Sequence, residues 1–600
     1  MFRPTDPQLS LLESRFLVGP KKRERLERSW AEAFRTKILP LIDEEAFRAC
    51  FHEDNGRPNK SIRLLVGLHI LKEADDLTDE QILDGLEFNL QWQHALGVEP
   101  ATAHVCEKTL HNFRHKLMEN ERAQGVLLQV TSAMMKMDGL SAVRQRLDST
   151  HVISNIAVLT RLGLFTETVT VFLRELRKEA PGTLAKLDPS LLKRYLDREG
   201  YFSDATREQA QRRLPLVAQD LYALVRWFKA DEPVKALPSY ALLVRLLADQ
   251  CNVTGGETDT PAVSVKEGKE VAGASLQSPH DPDATYGHKG KGYEAQVAET
   301  CVKENPYQVI TAVDLNGANE SDQNATLPIV ERLAAEGHKP EEMWADTGYG
   351  SGENIVGCAE LGVTLHAPVQ DPNKPERRDA WIGVQDAPTS AEPDCATLSP
   401  AARAEVVALK QLKPDASEAS SAEANDEPTM ITPAVAEPMV SIGLGDFTFN
   451  ATFSEVTECP NGAGPTEQRS TDTAYYATFS GKDCASCPFA TACITRRIAH
   501  SEDRTLRWRD TKAATATRQR EQQTPAFKET YKLRSGIEST NAELKGRHGL
   551  DDIRVRGKER VELAVVLKAL AVNVKRAVQH HTKRLRAALD DANPIEMGFA

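Results

Sequence analysis

Three acidic residues stand where a carboxylate could do chemistry. Asp148 follows Leu147 in VRQRLDSTHV, Asp346 closes the short apolar run of EEMWADTGYG, and Glu538 lies within YKLRSGIESTNAELK. Carboxylates gathered within a few ångströms repel one another unless cations neutralise them. Oxygen-only ligands suit Mg2+ or Mn2+ rather than zinc. Two such ions about 3.5–4 Å apart would activate a water or a 3′-hydroxyl at a phosphodiester and stabilise the departing oxygen. That chemistry needs no nucleophile from the protein.

The elements that must carry these residues can be read from periodicity. Tyr531 to Lys545 contains no proline and one glycine, Gly536, which predicts one helix of about four turns. On it Tyr531, Arg534, Glu538 and Lys545 share a polar face, while Leu533, Ile537 and Leu544 gather on another. A mixed-charge surface helix would look much the same, so the helix needs partners elsewhere. Val143, Leu147 and Val152 predict a strand ending near Asp148, whose polar neighbours Ser149 and Thr150 argue against deep burial. Alternating Tyr293, Ala295 and Val297, then YQVITAVDLNG, predict two more strands antiparallel to it. A helix from Asp322 to Glu336, a strand stopping at Asp346, a helix from Gly352 to Leu361 and a strand at VTLHAPV follow. This order predicts an α/β fold, a mixed sheet flanked by helices, with adjacent strands carrying the two aspartates.

The remaining stretches fall around that core. Residues 1–120 read as helical, with Leu11, Leu12 and Phe16 early, Ser61 capping one helix and a Thr78–Gln81 capping box opening the next. These two helices admit a helix-turn-helix or an ordinary bundle; Arg57, Lys60 and Arg63 are a thin basic patch, which favours the bundle. Core segments are expected at 121–155 and 276–371, with a mainly helical insertion at 156–275 that closes in a Gly/Thr loop at 252–260. From 372 to 440 the composition shifts to Ala, Pro, Glu, Ser and Thr, which predicts a disordered linker. A cysteine-containing insertion at 441–500 and completion of the core with basic helices at 501–590 end the chain. The whole chain carries 74 Lys and Arg against 87 Asp and Glu, a net charge of -13, yet residues 495–590 are net +11. A basic end suits phosphate contact while the rest keeps the protein soluble. No run approaches 18 apolar residues and the start has no apolar signal region, so a cytoplasmic protein without a membrane span is expected.

With these residues set out, the chain resembles the DDE transposases of bacterial insertion sequences. The spacing Tyr531, Arg534, Glu538, Lys545 matches the Tyr-Arg-Glu-Lys signature of one branch, and the DST at Asp148 and ADTGYGS at Asp346 resemble the first two acidic motifs. RHGLDDIRVRG at 547–557 also looks like family sequence. The gaps of 198 residues from Asp148 to Asp346 and 192 from Asp346 to Glu538 depart from compact members of the fold. Long surface insertions cost only about 0.6 kcal/mol per doubling of loop length, so they do not undo the triad. The resemblance implies a ribonuclease-H-like catalytic domain and an N-terminal domain that binds DNA ends. It implies divalent-metal-dependent cleavage of the element's own ends and joining of the 3′-hydroxyls to target DNA. Asp148, Asp346 and Glu538 would hold Mg2+ or Mn2+; Tyr531, Arg534, Lys545, Arg547, Arg554 and Arg556 would contact DNA. Double-stranded DNA at terminal inverted repeats, target DNA and a second copy of the chain are the implied partners. A DNA-binding derivative that no longer cuts, or a stand-alone metal nuclease, are the alternatives.

Other groupings carry weaker signals. Cys459, Cys484, Cys487 and Cys493, spaced C-x24-C-x2-C-x5-C, can close a tetrahedral structural Zn2+ site or remain a reduced cluster without metal. His280, Asp281 and Asp283 favour a turn over a metal site, and Asp314 and Asp322 favour turn and cap duty. Lys289 and Lys291 suit DNA contact or a solvated loop equally, and His151 suits packing. Lys575, Arg576, Lys583, Arg584 and Arg586 extend the positive surface or form a solvated tail.

Overall fold

The computed structural model describes residues 1–4, 17–52, 58–119, 122–155, 159–196, 207–255, 262–370 and 442–592. The expected linker at 372–440, the apolar residues Leu11, Leu12 and Phe16, and Arg57 lie outside the described residues.

The N-terminal part is helical. Helices α1 (Ile62–Ala74) and α2 (Asp79–Phe88) start where the caps predict: Ser61 accepts from the Leu64 amide, and Thr78 and Gln81 complete both bonds of a capping box. Nearly every side of α1 is buried, and Arg63 donates to the Ile42 carbonyl. A helix so enclosed is the centre of a bundle rather than one free to enter a DNA groove. Helices α3 (Glu107–Met118) and α4 (Arg122–Asp138) complete this part and lead into strand β1 (Arg144–Val152). Asp148 stands mid-strand rather than at a strand end.

A mainly helical lobe follows, built on α5 (Arg161–Glu179), α6 (Arg207–Phe228) and α7 (Pro238–Gln250). It has its own core, in which Phe165, Phe172, Leu221, Phe228 and Leu243 are fully buried. Where a loop was expected, β2 (Cys251–Thr254) pairs antiparallel with β3 (Ala262–Val265). The polar stretch before the next strand likewise contains β4 (Thr285–Gly287), folded back on the first residues of β5 (Gly290–Thr300).

The central sheet runs β6 (Ile310–Gly317), β5, β1, β7 (Glu342–Trp344), β8 (Thr364–His366). β5 is antiparallel to β1 and β6, while β7 is parallel to β1 and β8. On one face, α8 (Thr326–Ala335), α9 (Gly352–Glu360) and α10 (Asp510–Glu521) cover Leu147, Ala298, Ala312 and Met343. The other face, with Tyr293, Ala295, Val297, Val313 and Leu315, shares one core with α1, α4 and the long C-terminal helix. The product is an α/β fold with a mixed sheet between helical layers.

Between β8 and α10 lies a small β lobe. β9 (Thr448–Phe449) pairs with β10 (Val456–Glu458), and β11 (Glu467–Thr471), β12 (Ala474–Phe479), β14 (Arg504–Trp508) and β13 (Arg496–Arg497) form a second sheet in that order. Trp508 packs on Phe449 and Tyr475, so this lobe reaches past residue 500, where the sequence suggested that the core resumes. The expected single helix around Arg534 is three pieces: α11 (Pro525–Tyr531), a 3-10 turn at Lys532–Ser535 and α12 (Gly536–Gly546). The cause lies at Gly536, where a Cβ would sit 1.8 Å from Arg146 Nη1. That guanidinium also donates to the Leu533 carbonyl inside the 3-10 turn. Helix α13 (Lys558–Ala592) closes the fold, and its Asn573 side chain bonds both the amide and the carbonyl of Ile310 at the start of β6.

Candidate active site

The register that pairs Arg144 with Glu342 and Arg146 with Trp344 carries β1 and the end of β7 onward together, so Asp148 and Asp346 emerge side by side. α12 packs against β1, the central strand, and adds Glu538. Arg534 joins all three: Nη2 lies 3.3 Å from Asp148 Oδ1 and 3.9 Å from Asp346 Oδ2, and Nη1 donates to Glu538 Oε1 at 2.9 Å. Side-chain exposure rises from 11% at Asp148 through 37% at Asp346 to 64% at Glu538, so the cluster opens outward from a buried floor. The burial of Asp148 departs from the sequence expectation, because Arg534, 386 residues away, and Asn541 of α12, 393 residues away, supply the cover.

Several residues that sequence reasoning passed over hold this floor. Asn541 Nδ2 donates to Asp148 Oδ2 at 3.1 Å, while the amide oxygen of Asn541 is buried with no hydrogen-bond partner among the described residues. Asp322 accepts from Ser149 Oγ at 3.1 Å and from Gln296 Nε2 at 2.8 Å, which places it beside the cluster rather than in plain turn duty. Gly348 lies between the acids: a Cβ there would come 3.0 Å from Asp346 Oδ1 and 3.3 Å from Asp322 Oδ2. The Gly348 amide donates to Asp346 Oδ1, and buried Tyr349 donates to Gln296. No periodicity distinguishes an asparagine inside a helix, which is why Asn541 left no signal; Asp322 was legible only as a cap.

The electrostatics are unbalanced. Burial pushes the Asp148 carboxyl above the usual range, Arg534 pulls it back, and Asp346 adds to the rise. One guanidinium among three carboxylates leaves negative charge uncompensated, and a partnerless amide oxygen adds a hard donor beside it. The donor types suit a hard divalent cation, with Asp148, Asp346 and Glu538 as the residues that would hold it, although in this structure Arg534 stands among them and their three carboxylates do not close to within 4.8 Å of one another.

A second ionic cluster holds the back of α12. Glu299 of β5 is fully buried; Arg146 Nε donates to its Oε2 and Thr540 Oγ1 to its Oε1, both at 2.7 Å, and Arg576 of α13 joins on Oε1. Arg576 also reaches Thr540 and Glu543, and Lys575 pairs with Glu543. Lys575 and Arg576 are therefore internal ties and not part of a solvated tail.

The remaining sequence candidates scatter. Tyr531 stacks on Phe527 at 5.6 Å. Lys545 lies 3.5 Å from Asp551 and Arg547 3.7 Å from Asp75, both pairs largely exposed. Arg554 is held by Asp76 and the Leu77 carbonyl, and Arg556 donates to the Asn155 carbonyl. Lys289 pairs with Glu294 next to Ser149, whereas Lys291 donates to the Leu159 carbonyl. His280 meets Glu167, Asp281 accepts from Ser154 and Tyr293, and Asp314 pairs with Arg332. His151 is buried. Cys459, Cys484, Cys487 and Cys493 line one small cavity of the β lobe with Phe447, Phe479 and Phe489, and no three of their sulfurs lie within 4.8 Å of one another.

Two family models match the chain: residues 458–578 match one described as a Transposase DDE domain, and residues 23–116 match one described as a Transposase domain (DUF772). Both are transposase models. The first match contains Glu538, Arg534 and Arg576; Asp148 and Asp346 lie outside both. An uncharacterized protein, ORF8 in the nfe locus of Rhizobium meliloti, is 43% identical over 56 residues, which cover 9% of this chain and 27% of that protein. No solved structure gives a significant match. Among the described residues no helix is long and apolar enough to cross a membrane.

Proposed function

We propose that this chain is a DDE transposase with a ribonuclease-H-like core, cutting DNA at the ends of its insertion sequence and joining the 3′-hydroxyls to target DNA. The observation that carries this reading is the convergence of Asp148, Asp346 and Glu538, from three distant segments, around one guanidinium over the central strand of a mixed sheet. The two transposase matches support the same reading from different parts of the chain. Asp148 and Asp346 would hold Mg2+ or Mn2+ between them, with Glu538 completing the set. When bound, such ions activate the attacking hydroxyl and stabilise the leaving oxygen at a phosphodiester. Asn541 fixes the rotation of the Asp148 carboxylate through its Nδ2 bond. Arg534, released from the carboxylates, offers a planar fork to the phosphate at the scissile bond. Tyr531, one turn earlier, borders the same opening. Lys545 and Arg547, in loose exposed pairs, can exchange their acidic partners for DNA phosphates, whereas Arg554 and Arg556 first serve the fold.

The test is cleavage of a duplex bearing the sequences that flank this reading frame, with Mg2+ or Mn2+, comparing the intact protein with E538Q. Metal-dependent nicking at the element boundary followed by joining to a second duplex is expected. E538Q should lose at least about 100-fold, the upper end of what even outer-shell partners of a metal cost. Equal cutting by both proteins removes Glu538 from the site. Binding of those ends by the intact protein with no cutting would make it a DNA-binding derivative.

A further inference from the structure

Away from the carboxylate cluster, the end of α4 meets the last third of α13. Asp138, His580 and His581 place one potential ligand atom each within 4.8 Å of one another, the one such group of three among the described residues. His581 Nε2 lies 3.0 Å from Asp138 Oδ2, and Tyr307, on the connection between β5 and β6, donates its hydroxyl to the same oxygen at 2.5 Å. The side chains of Asp138 and His581 are only 4% and 8% exposed, while His580 is half-buried and opens the group to solvent. The His580 ring also packs against Tyr307, at 5.6 Å between centroids.

We infer that Asp138, His580 and His581 form a binding site for a borderline divalent cation of the Zn2+ class, which ties α13 to α4. Two imidazoles and one carboxylate are a donor set that such ions prefer over Mg2+. Tyr307, bonded to the ligating carboxylate, is the outer partner that orients it. Because the three ligands come from two elements 442 positions apart and both histidines sit on one helix, a bound ion adds a cross-link near the end of α4 to the Asn573–Thr131 and Gln124–Glu562 hydrogen bonds that already join α4 and α13. Its place matters: Arg576, one helical turn before His580, holds Glu299 and the back of α12. An ion here stiffens α13 next to the turn that steadies the helix of Glu538. The inference stands whether or not Asp148, Asp346 and Glu538 hold ions.

The full chain is stripped with a chelator and titrated with Co2+ and then Zn2+, counting bound ions and recording the Co2+ absorption spectrum. Wild type, H580A, D138N and E538Q are compared. H580A and D138N should each bind one Co2+ fewer than wild type, and the lost bands should lack the intense near-ultraviolet charge transfer of thiolate ligation that the cysteine lobe would give. E538Q should keep this ion. Zn2+ should raise the unfolding temperature of wild type more than that of H580A. His580 is partly exposed, so H580A tests the site even if D138N folds poorly. Identical stoichiometry and affinity in wild type and H580A overturns the inference and leaves Asp138–His581 as an ordinary tie. A loss confined to the thiolate bands overturns it as well.

Discussion

Two ionic clusters share helix α12, and they are built to opposite accounts. On the outer side one cation, Arg534, serves three carboxylates. On the inner side three cations, Arg146, Arg576 and Lys575, serve two carboxylates: Glu299, fully buried between the two arginines with Thr540 completing its hydrogen bonds, and Glu543. A buried charge with all its partners in place fixes geometry, and removing one partner strands the others. A cluster short of positive charge is poised to take more. The inner cluster therefore sets where Glu538 stands, and the outer one is where chemistry can occur.

The largest effect expected from breaking this contrast comes from E299A. It leaves Arg146 without a carboxylate and Arg576 with Glu543 alone, and stability should fall by about 3–5 kcal/mol. Urea unfolding followed by circular dichroism measures it as a lower midpoint at unchanged slope. A loss under about 1 kcal/mol would mean that the two arginines find other partners, and the inner cluster would no longer count as a brace.

How far this contrast could be read in the sequence differs between its halves. The outer cluster was legible because its parts carry local marks: Asp346 precedes a glycine turn, and Arg534 and Glu538 sit one turn apart. Even there, the mid-strand, buried position of Asp148 was not, since its cover comes from Arg534 and Asn541 and not from Ser149 or Thr150. The inner cluster was almost invisible. Glu299 stands next to last in AQVAET, where a charged residue reads as a solvated strand end, and its partners lie 153 positions before it and 241 and 277 positions after it. Gly536 was legible only as a weak point in a helix; its necessity depends on Arg146 pressing against the backbone from β1. The strand order followed from alternating patterns, but β2 and β3, four residues each around a Gly/Thr run, and the three-residue β4 are too short for their alternation to stand out and read as loops. The basic run at 547–557 was legible as charge, yet Arg554 is held by Asp76, a pairing that composition cannot distinguish from a free surface.

A smaller effect, and a sharper one, comes from R534A. If Arg534 is the stand-in cation of the outer cluster, it competes with divalent ions for the same oxygens. R534A should then bind Mn2+ more tightly, on the order of tenfold, equivalent to about 1.4 kcal/mol. Calorimetry or electron paramagnetic resonance of Mn2+ reads this without DNA, and DNA cutting by the same variant should still fall because the phosphate fork is gone. Weaker Mn2+ binding in R534A would show that Arg534 organises the carboxylates rather than competing for them.

The smallest effect concerns Asp148 alone and carries a sign opposite to that of the inner cluster. Burial raises its carboxyl above the usual range despite Arg534. Between the ordinary carboxyl value near 3.9 and that raised value, the unfolded chain has lost its proton and the folded chain has not, so stability falls as pH rises. At neutral pH and without divalent ions, the ionised Asp148 therefore costs stability, and D148N removes that cost. Asp346 and Glu538 remain to partner Arg534. D148N should match or slightly exceed wild type at pH 7 in the presence of a chelator, within about 1 kcal/mol, and the difference should vanish near pH 3. Adding Mg2+ should reverse the order, because only wild type keeps the full carboxylate set. E299A, in contrast, should stay below wild type with or without Mg2+. If D148N proves less stable than wild type at pH 7 with chelator present, then Arg534 already balances the outer cluster, and both sides of α12 are braces of one kind.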